Sequence, residues 1–201
     1  MRSLSLAGIW TPRLYDRIAG YYDALSFLIS PQSAHRKVTE DLHSGSILDV
    51  GCGTGTLLQM ANANGMECFG IDTSIGMLKQ VRIKVPDAKL VQASFYELPF
   101  PDDVFDVVVE TNALGGVAIN VKQALSEMIK VCKVGCEVRI VDFGKPVKET
   151  WKTTVLQWIG ALFGDTPYDY VQIFETFGFK TEVEILGGSG MYHLCKVKKV
   201  K

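Results

Sequence analysis

Three glycines at alternate positions, Gly51, Gly53 and Gly55, follow an apolar run of Ile47, Leu48 and Val50 that holds one acid, Asp49. A turn without side-chain bulk at the end of a buried strand lets a ligand lie against the backbone. The amides that open the next helix then face whatever negative group the ligand carries. A second acid, Asp72, ends the next apolar run, where a carboxylate is placed to accept hydrogen bonds from both hydroxyls of a ribose. The chemistry these residues suit is the holding of a nucleoside-bearing cofactor.

Two cofactors fit that outline, a dinucleotide and S-adenosylmethionine. The spacing in GCGTG is G-x-G-x-G, and Thr56 stands where the dinucleotide fingerprint G-x-G-x-x-G needs its last glycine. Asp49 discriminates too. An acid there repels a pyrophosphate but can receive a methionyl ammonium through water or a backbone carbonyl. The other reading of Asp49 is a structural acid that caps the turn.

The elements that must position these residues alternate. Strand patterns cover residues 46–50, 67–72, 89–93, 105–110 and 137–143, and helix patterns cover 55–64, 75–84 and 121–134. VFDVVVE, at 104–110, is β-branched and almost wholly apolar, as a central parallel strand should be. The last two strand patterns, 179–186 and 191–197, are joined by GGSG, which permits a hairpin. The expected fold is α/β, a Rossmann-like doubly wound sheet, mostly parallel with an antiparallel C-terminal hairpin.

Length and composition agree. With 201 residues, 47% hydrophobic and 21% charged, the chain has ample core for one domain. Its expected parts are a front segment over 1–43, a cofactor-binding core over 44–144, and substrate-side helices with the hairpin over 145–201. A formal net charge of -1 argues against broad nucleic-acid binding. The five cysteines (Cys52, Cys68, Cys132, Cys136 and Cys195) lack zinc-ligand spacing, so no metal is expected. They read as reduced thiols of a cytoplasmic protein. MRSLSLAGIW lacks a full apolar stretch and cleavage site, and no apolar run reaches membrane-spanning length.

DVGCGTG, GIDTSIGML and ELPFPDDVFDVVVE together resemble the class I S-adenosylmethionine-dependent methyltransferases. The resemblance implies that Asp49, Gly51, Cys52, Gly53 and Gly55 surround the methionyl part of the cofactor. It places Asp72 on the ribose, with Thr73 and Met77 near the adenosine. The family's acid for the adenine amino group is replaced by Ser94, so adenine rests more on Phe95 stacking and backbone groups. A closer similarity covers nearly the whole chain. LYDRIAGYYDALSFLISPQSAHRK, VDFGKP and FETFGFKTEVEILGGSGMYHLCKVKK are similar to the ubiquinone and menaquinone biosynthesis C-methyltransferases. The family's Leu-Arg-Asn-Val aligns with Leu114, Gly115, Gly116 and Val117, which removes polar groups from the substrate side.

The resemblance implies methyl transfer, which needs nucleophile, methyl carbon and sulfur held in line. A base is needed only where the nucleophile must first lose a proton. Candidate catalytic residues are Tyr22, His35 and Glu110. Tyr22 fills the family's tyrosine-aspartate pair in a front segment that forms a lid, and so joins the cofactor-binding set. His35 faces the site or is a solvated helix residue. Glu110, with Asn112 near it, binds the cofactor, orients a substrate, or is a strand-end acid facing solvent. Trp151, Val155, Trp158 and Leu162 recur at helical spacing. That stretch reads as a helix packed on the domain, a cap over an apolar substrate, or a foot on a membrane surface. The leading expectation is a methyltransferase for a small, largely apolar acceptor such as a quinone precursor or lipid-like molecule. The alternatives are a silent S-adenosylmethionine-binding sensor or partner subunit, and an NAD-dependent oxidoreductase.

Overall fold

Ile47, Leu48 and Val50 are all buried in strand β1 (Ser46–Val50). In the computed structural model, which describes residues 11–26, 32–117, 120–144, 146, 148–163, 167–186 and 192–200, β1 lies inside a seven-stranded sheet. β2 (Glu67–Asp72), β3 (Lys89–Gln92), β4 (Phe105–Thr111) and β5 (Cys132–Phe143) run parallel to it. β6 (Thr181–Leu186) and β7 (Tyr192–Lys198) pair antiparallel, and β7 is also antiparallel to β5. The order is β3-β2-β1-β4-β5-β7-β6, so the chain reverses direction of growth between β1 and β4. In an open α/β sheet, ligands bind beyond the strand carboxyl ends at that switch point.

The front of the chain forms α1 (Pro12–Ile18), α2 (Tyr22–Ser26) and α3 (Gln32–Thr39). Crossover helices α4 (Thr56–Ala63) and α5 (Ile75–Lys84) follow β1 and β2. A short α6 (Leu114–Val117) and α7 (Val121–Val131) link β4 to β5. After β5 come α8 (Trp151–Phe163) and α9 (Tyr170–Thr176). Val38 of α3, Leu57, Leu58 and Ala61 of α4 and Val81 of α5 pack on one face of the sheet, against Ile47, Val107 and Val109. Leu125 and Met128 of α7 and Phe174 of α9 pack on the other, against Leu48, Val50, Val108 and Ile140. Two covered faces explain why FDVVV has so little polar alternation: β4 is buried on both.

The element from 121 ends sooner than its apolar spacing predicts. Cys132 pairs with Phe105 and already belongs to β5, so α7 stops at Val131. The ladder then shifts register before Val107 meets Glu137, and Gly135 turns at φ +85° within the shift. A bulge lets the early part of the strand read as helix. The GGSG link lies outside the described residues. Among the described residues no helix is long and apolar enough to cross a membrane.

Candidate functional site

The turn after β1 is built from left-handed backbone: φ is +76° at Gly51, +50° at Gly53 and +82° at Gly55. The space around the three differs. A Cβ on Gly51 would come within 2.5 Å of the Ala113 methyl, and one on Gly55 within 2.8 Å of Val81 Cγ1. A Cβ on Gly53 would meet nothing within 4 Å. The sequence predicts a ligand against the whole turn. The structure gives Gly51 to the turn after β4 and Gly55 to α5, and leaves Gly53 as the residue whose backbone faces open space. Cys52 is buried beside it.

Asp72 reaches across from the end of β2. One carboxylate oxygen accepts the Gly53 N–H at 2.9 Å and the other the Ser74 N–H at 2.8 Å. Burial raises its pKa, while these N–H groups pull the other way. Asp49 is 1% exposed, and its Oδ1 has no hydrogen-bond partner among the described residues. Burial first, then the Asp72 charge, push its pKa up to about 8.

Glu110, in register with Val50, is fully buried, which corrects the reading of a strand-end acid facing solvent. Its Oε1 accepts the N–H groups of Ala113 and Leu114, the latter at 2.9 Å, and so caps the start of α6. Its Oε2 has no partner among the described residues. Burial and the neighbouring Asp142 hold its pKa well above the ordinary glutamate value. Asp142 itself escaped the sequence reading, although it lies in VDFGKP near the carboxyl end of β5, as Glu110 does on β4. Its Oδ2 accepts the Gly115 N–H at 2.7 Å and the Tyr170 hydroxyl at 2.6 Å, and Oδ1 accepts the Phe143 N–H at 2.7 Å.

The front segment is fastened to this cradle at two points. Asp16 of α1 accepts the Ser74 hydroxyl at 2.6 Å and the Gly76 N–H at 2.8 Å, at the start of α5. Asp23 of α2 accepts the hydroxyl of Thr54, inside the glycine turn, and pairs with Lys84 at 2.6 Å. Tyr22 is half-buried next to that second fastening, its ring edge-on to Tyr15 at 6.0 Å. His35 is not a solvated helix residue. Its Nδ1 is buried with no partner among the described residues, and burial first, then Lys84, lower its pKa. Lys84 bonds Thr54 and Thr56, so His35 belongs with the fastening of the front segment.

The adenosine-side candidates are spread along the ends of β2 and β3. Thr73 is exposed, and Met77 is fully buried with its N–H on the Ser74 hydroxyl at 3.1 Å. The Ser94 hydroxyl accepts the Tyr96 N–H at 3.2 Å, and Phe95 packs edge-on to Tyr96 at 4.6 Å. On α8, Trp151 and Trp158 are 74% and 68% exposed and Val155 is exposed with them, while Thr153 is buried. Trp151, Val155 and Trp158 are therefore not the face by which α8 packs, and the side chain of Leu162 lies outside the described residues.

Open backbone at Gly53, a carboxylate within reach of it and two buried carboxylate oxygens without partners among the described residues fit a nucleoside that carries positive charge. Comparisons agree with that chemistry. A methyltransferase domain family matches residues 48–140. A demethylmenaquinone methyltransferase of Symbiobacterium thermophilum is 32% identical over 203 residues, covering 86% of this chain and 80% of that protein. Another, of Paenarthrobacter aurescens, is 28% identical over 152 residues, or 73% of this chain, and the chain spans 60% of its length. A solved S-adenosylmethionine-dependent methyltransferase of Thermotoga maritima superposes with a TM-score of 0.72 at 14% identity, over 93% of this chain and 98% of that one. The geranyl diphosphate C-methyltransferase of Streptomyces coelicolor gives 0.67 at 14% identity, over 84% of this chain and 77% of that one. At these identities the structures speak to the fold.

Proposed function

This chain belongs to the class I S-adenosylmethionine-dependent methyltransferases, and we propose that it methylates a small, largely apolar acceptor of the quinone-precursor kind. The observation that carries the reading is the Gly53–Asp72 pairing beside the orphaned Asp49 oxygen, at the switch point of the sheet. The quinone class is supported by the relatives' names and by the exposed aromatic stripe of α8.

S-Adenosylmethionine supplies an activated methyl group, so the protein's task is placement. Asp72 takes the ribose hydroxyls while keeping the turn in shape. Gly53 lets the ligand approach the backbone, and Asp49 faces the methionyl ammonium. Glu110 and Asp142 fix the start of α6, which forms the wall on the acceptor side. Tyr22 and the two fastenings hold the front segment over the cradle and exclude water. The apolar acceptor enters between that segment and α8, in a site that binds through apolar burial.

The test is turnover. S-Adenosylhomocysteine should accumulate when the protein is given S-adenosylmethionine and a demethylmenaquinone analogue. Calorimetry should show binding of S-adenosylmethionine and none of NAD. Cofactor binding with no turnover on quinone precursors would overturn the acceptor class, and preference for NAD would overturn the reading altogether.

A further inference from the structure

Four acids meet at the carboxyl ends of neighbouring strands: Asp72, Asp49, Glu110 and Asp142 on β2, β1, β4 and β5. Asp72 and Asp142 have donors on both oxygens. Asp49 Oδ1 and Glu110 Oε2 are buried and have none among the described residues. No described lysine or arginine pairs with Asp49, Asp72 or Glu110. Among the described residues, the titratable groups that act on Glu110 are Asp142 on β5, Asp49 on β1, Tyr170 on α9 and Cys195 on β7. None of them carries positive charge. A buried carboxylate in such surroundings keeps its proton until a cation arrives.

The position of Glu110 links it to the cradle. It caps the turn that places Ala113 directly on Gly51, so it lies behind the wall of the glycine turn. S-Adenosylmethionine carries an ammonium, a carboxylate and a sulfonium, and is a net cation. S-Adenosylhomocysteine lacks the sulfonium and is neutral. The ammonium is common to both and answers Asp49 in either case. The sulfonium is the charge by which the two differ.

We propose that Glu110 distinguishes the charged cofactor from its spent thioether: it is neutral in the free protein, ionises when a sulfonium is bound, and is neutral again with the product. The proposal rests on the methyltransferase reading above. Its consequence is that S-adenosylmethionine binds with release of a proton to solvent that S-adenosylhomocysteine does not release. The site then favours cofactor over product more strongly as pH rises, which aids product exchange.

Titration calorimetry tests this with the two compounds in buffers of different ionisation enthalpy, from pH 6 to pH 8.5. The expected result is about one more proton released with S-adenosylmethionine than with S-adenosylhomocysteine. The affinity ratio should then rise by up to about tenfold per pH unit while Glu110 is protonated in the free protein. Glu110→Gln keeps an oxygen for the Ala113 and Leu114 N–H groups but has no proton to give, so it should erase the difference. Equal proton counts for the two compounds in the unmodified protein overturn the proposal without recourse to a variant. Failure of both compounds to bind would instead bring down the methyltransferase reading on which it stands.

Discussion

Asp72 accepts the Gly53 N–H at 2.9 Å, so the acid that ends β2 holds the turn that ends β1. Its other oxygen takes the Ser74 N–H and helps open α5. The carboxylate therefore shapes the cradle before any ligand enters. Asp72→Ala should weaken S-adenosylmethionine binding about tenfold to a hundredfold, the loss of roughly 1.5–3 kcal/mol of charge-assisted hydrogen bonding. It should also lower the melting temperature, because two N–H groups lose their acceptor. Asp72→Asn, which keeps one acceptor oxygen, should fall between on both scales. Calorimetry and thermal unfolding measure the two effects separately, and unchanged affinity in the alanine variant would remove Asp72 from the site.

The three turn glycines should fail in different ways. Gly53→Val points its side chain into open space but at φ +50°, so the strain is about 1–2 kcal/mol and the fold should survive. The ligand then meets a branched side chain where it needs bare backbone, and binding should vanish. Gly55→Val drives a side chain into Val81 and should instead be recovered poorly or melt far lower. A folded Gly53→Val variant with normal affinity would mean that the cradle lies elsewhere.

Most of this architecture is legible in the sequence because the central strands, β1 and β4, are buried on both faces. Apolar runs mark β1, β2 and β4, and β1, β2, α5 and α8 coincide with their patterns. The glycine turn and Asp72 are legible for a local reason: glycine spacing reports backbone geometry directly. Asp142 was not, because its partners Gly115 and Tyr170 come from segments far apart in the chain. The role of Glu110 was hidden similarly, since nothing in the sequence of a strand end says whether an acid faces water or caps a buried turn. The two fastenings by Asp16 and Asp23 join residues 58 and 31 positions apart, and no pattern of spacing encodes that.

In the proposed site, Asp49 makes stability and cofactor binding pull in opposite directions. Its pKa is about 8 in the folded protein and near 3.9 in an unfolded chain. Between those values the folded form holds a proton that the unfolded form has lost, so the free protein becomes less stable as pH rises, until about pH 8. Asp41 and Asp106, held down to about 2 by Arg139 and Lys133, act oppositely, and their contribution is lost only as pH falls below about 4. Asp49→Asn should therefore raise the melting temperature at pH 7–8 and flatten its decline with pH, while weakening cofactor binding. Melting curves from pH 5 to 9 on both proteins give the test. A variant that is less stable at pH 8 would show that Asp49 is ionised and paired in the fold.

The exposed stripe of α8 gives a kinetic expectation. Trp158 is 68% exposed, so Trp158→Ala should change stability by no more than about 0.5 kcal/mol. If the stripe receives the acceptor, the KM for a demethylmenaquinone analogue should rise severalfold while that for S-adenosylmethionine stays put. Equal effects on both constants would make Trp158 a structural residue, and no effect on either would take α8 out of the acceptor path.

The resemblance to the quinone-methylating family sets Gly115 where that family has arginine, and the structure says why an arginine does not fit there. A Cβ on Gly115 would come within 2.8 Å of Asp142 Oδ1 and 2.9 Å of Oδ2. Those oxygens are held by Phe143, Tyr170 and the Gly115 N–H itself, so the carboxylate has little room to retreat. Gly115→Ala alone should destabilise the protein by about 1–3 kcal/mol, the cost of overpacking a buried site. Gly115→Arg should do the same and should not raise turnover on quinone precursors. Shortening the neighbour relieves the clash, so Asp142→Ala should make Gly115→Ala less costly than it is alone, a coupling that a double-mutant cycle reads directly. Strict additivity of the two changes would show that Asp142 does not occupy the space into which a side chain at 115 must go.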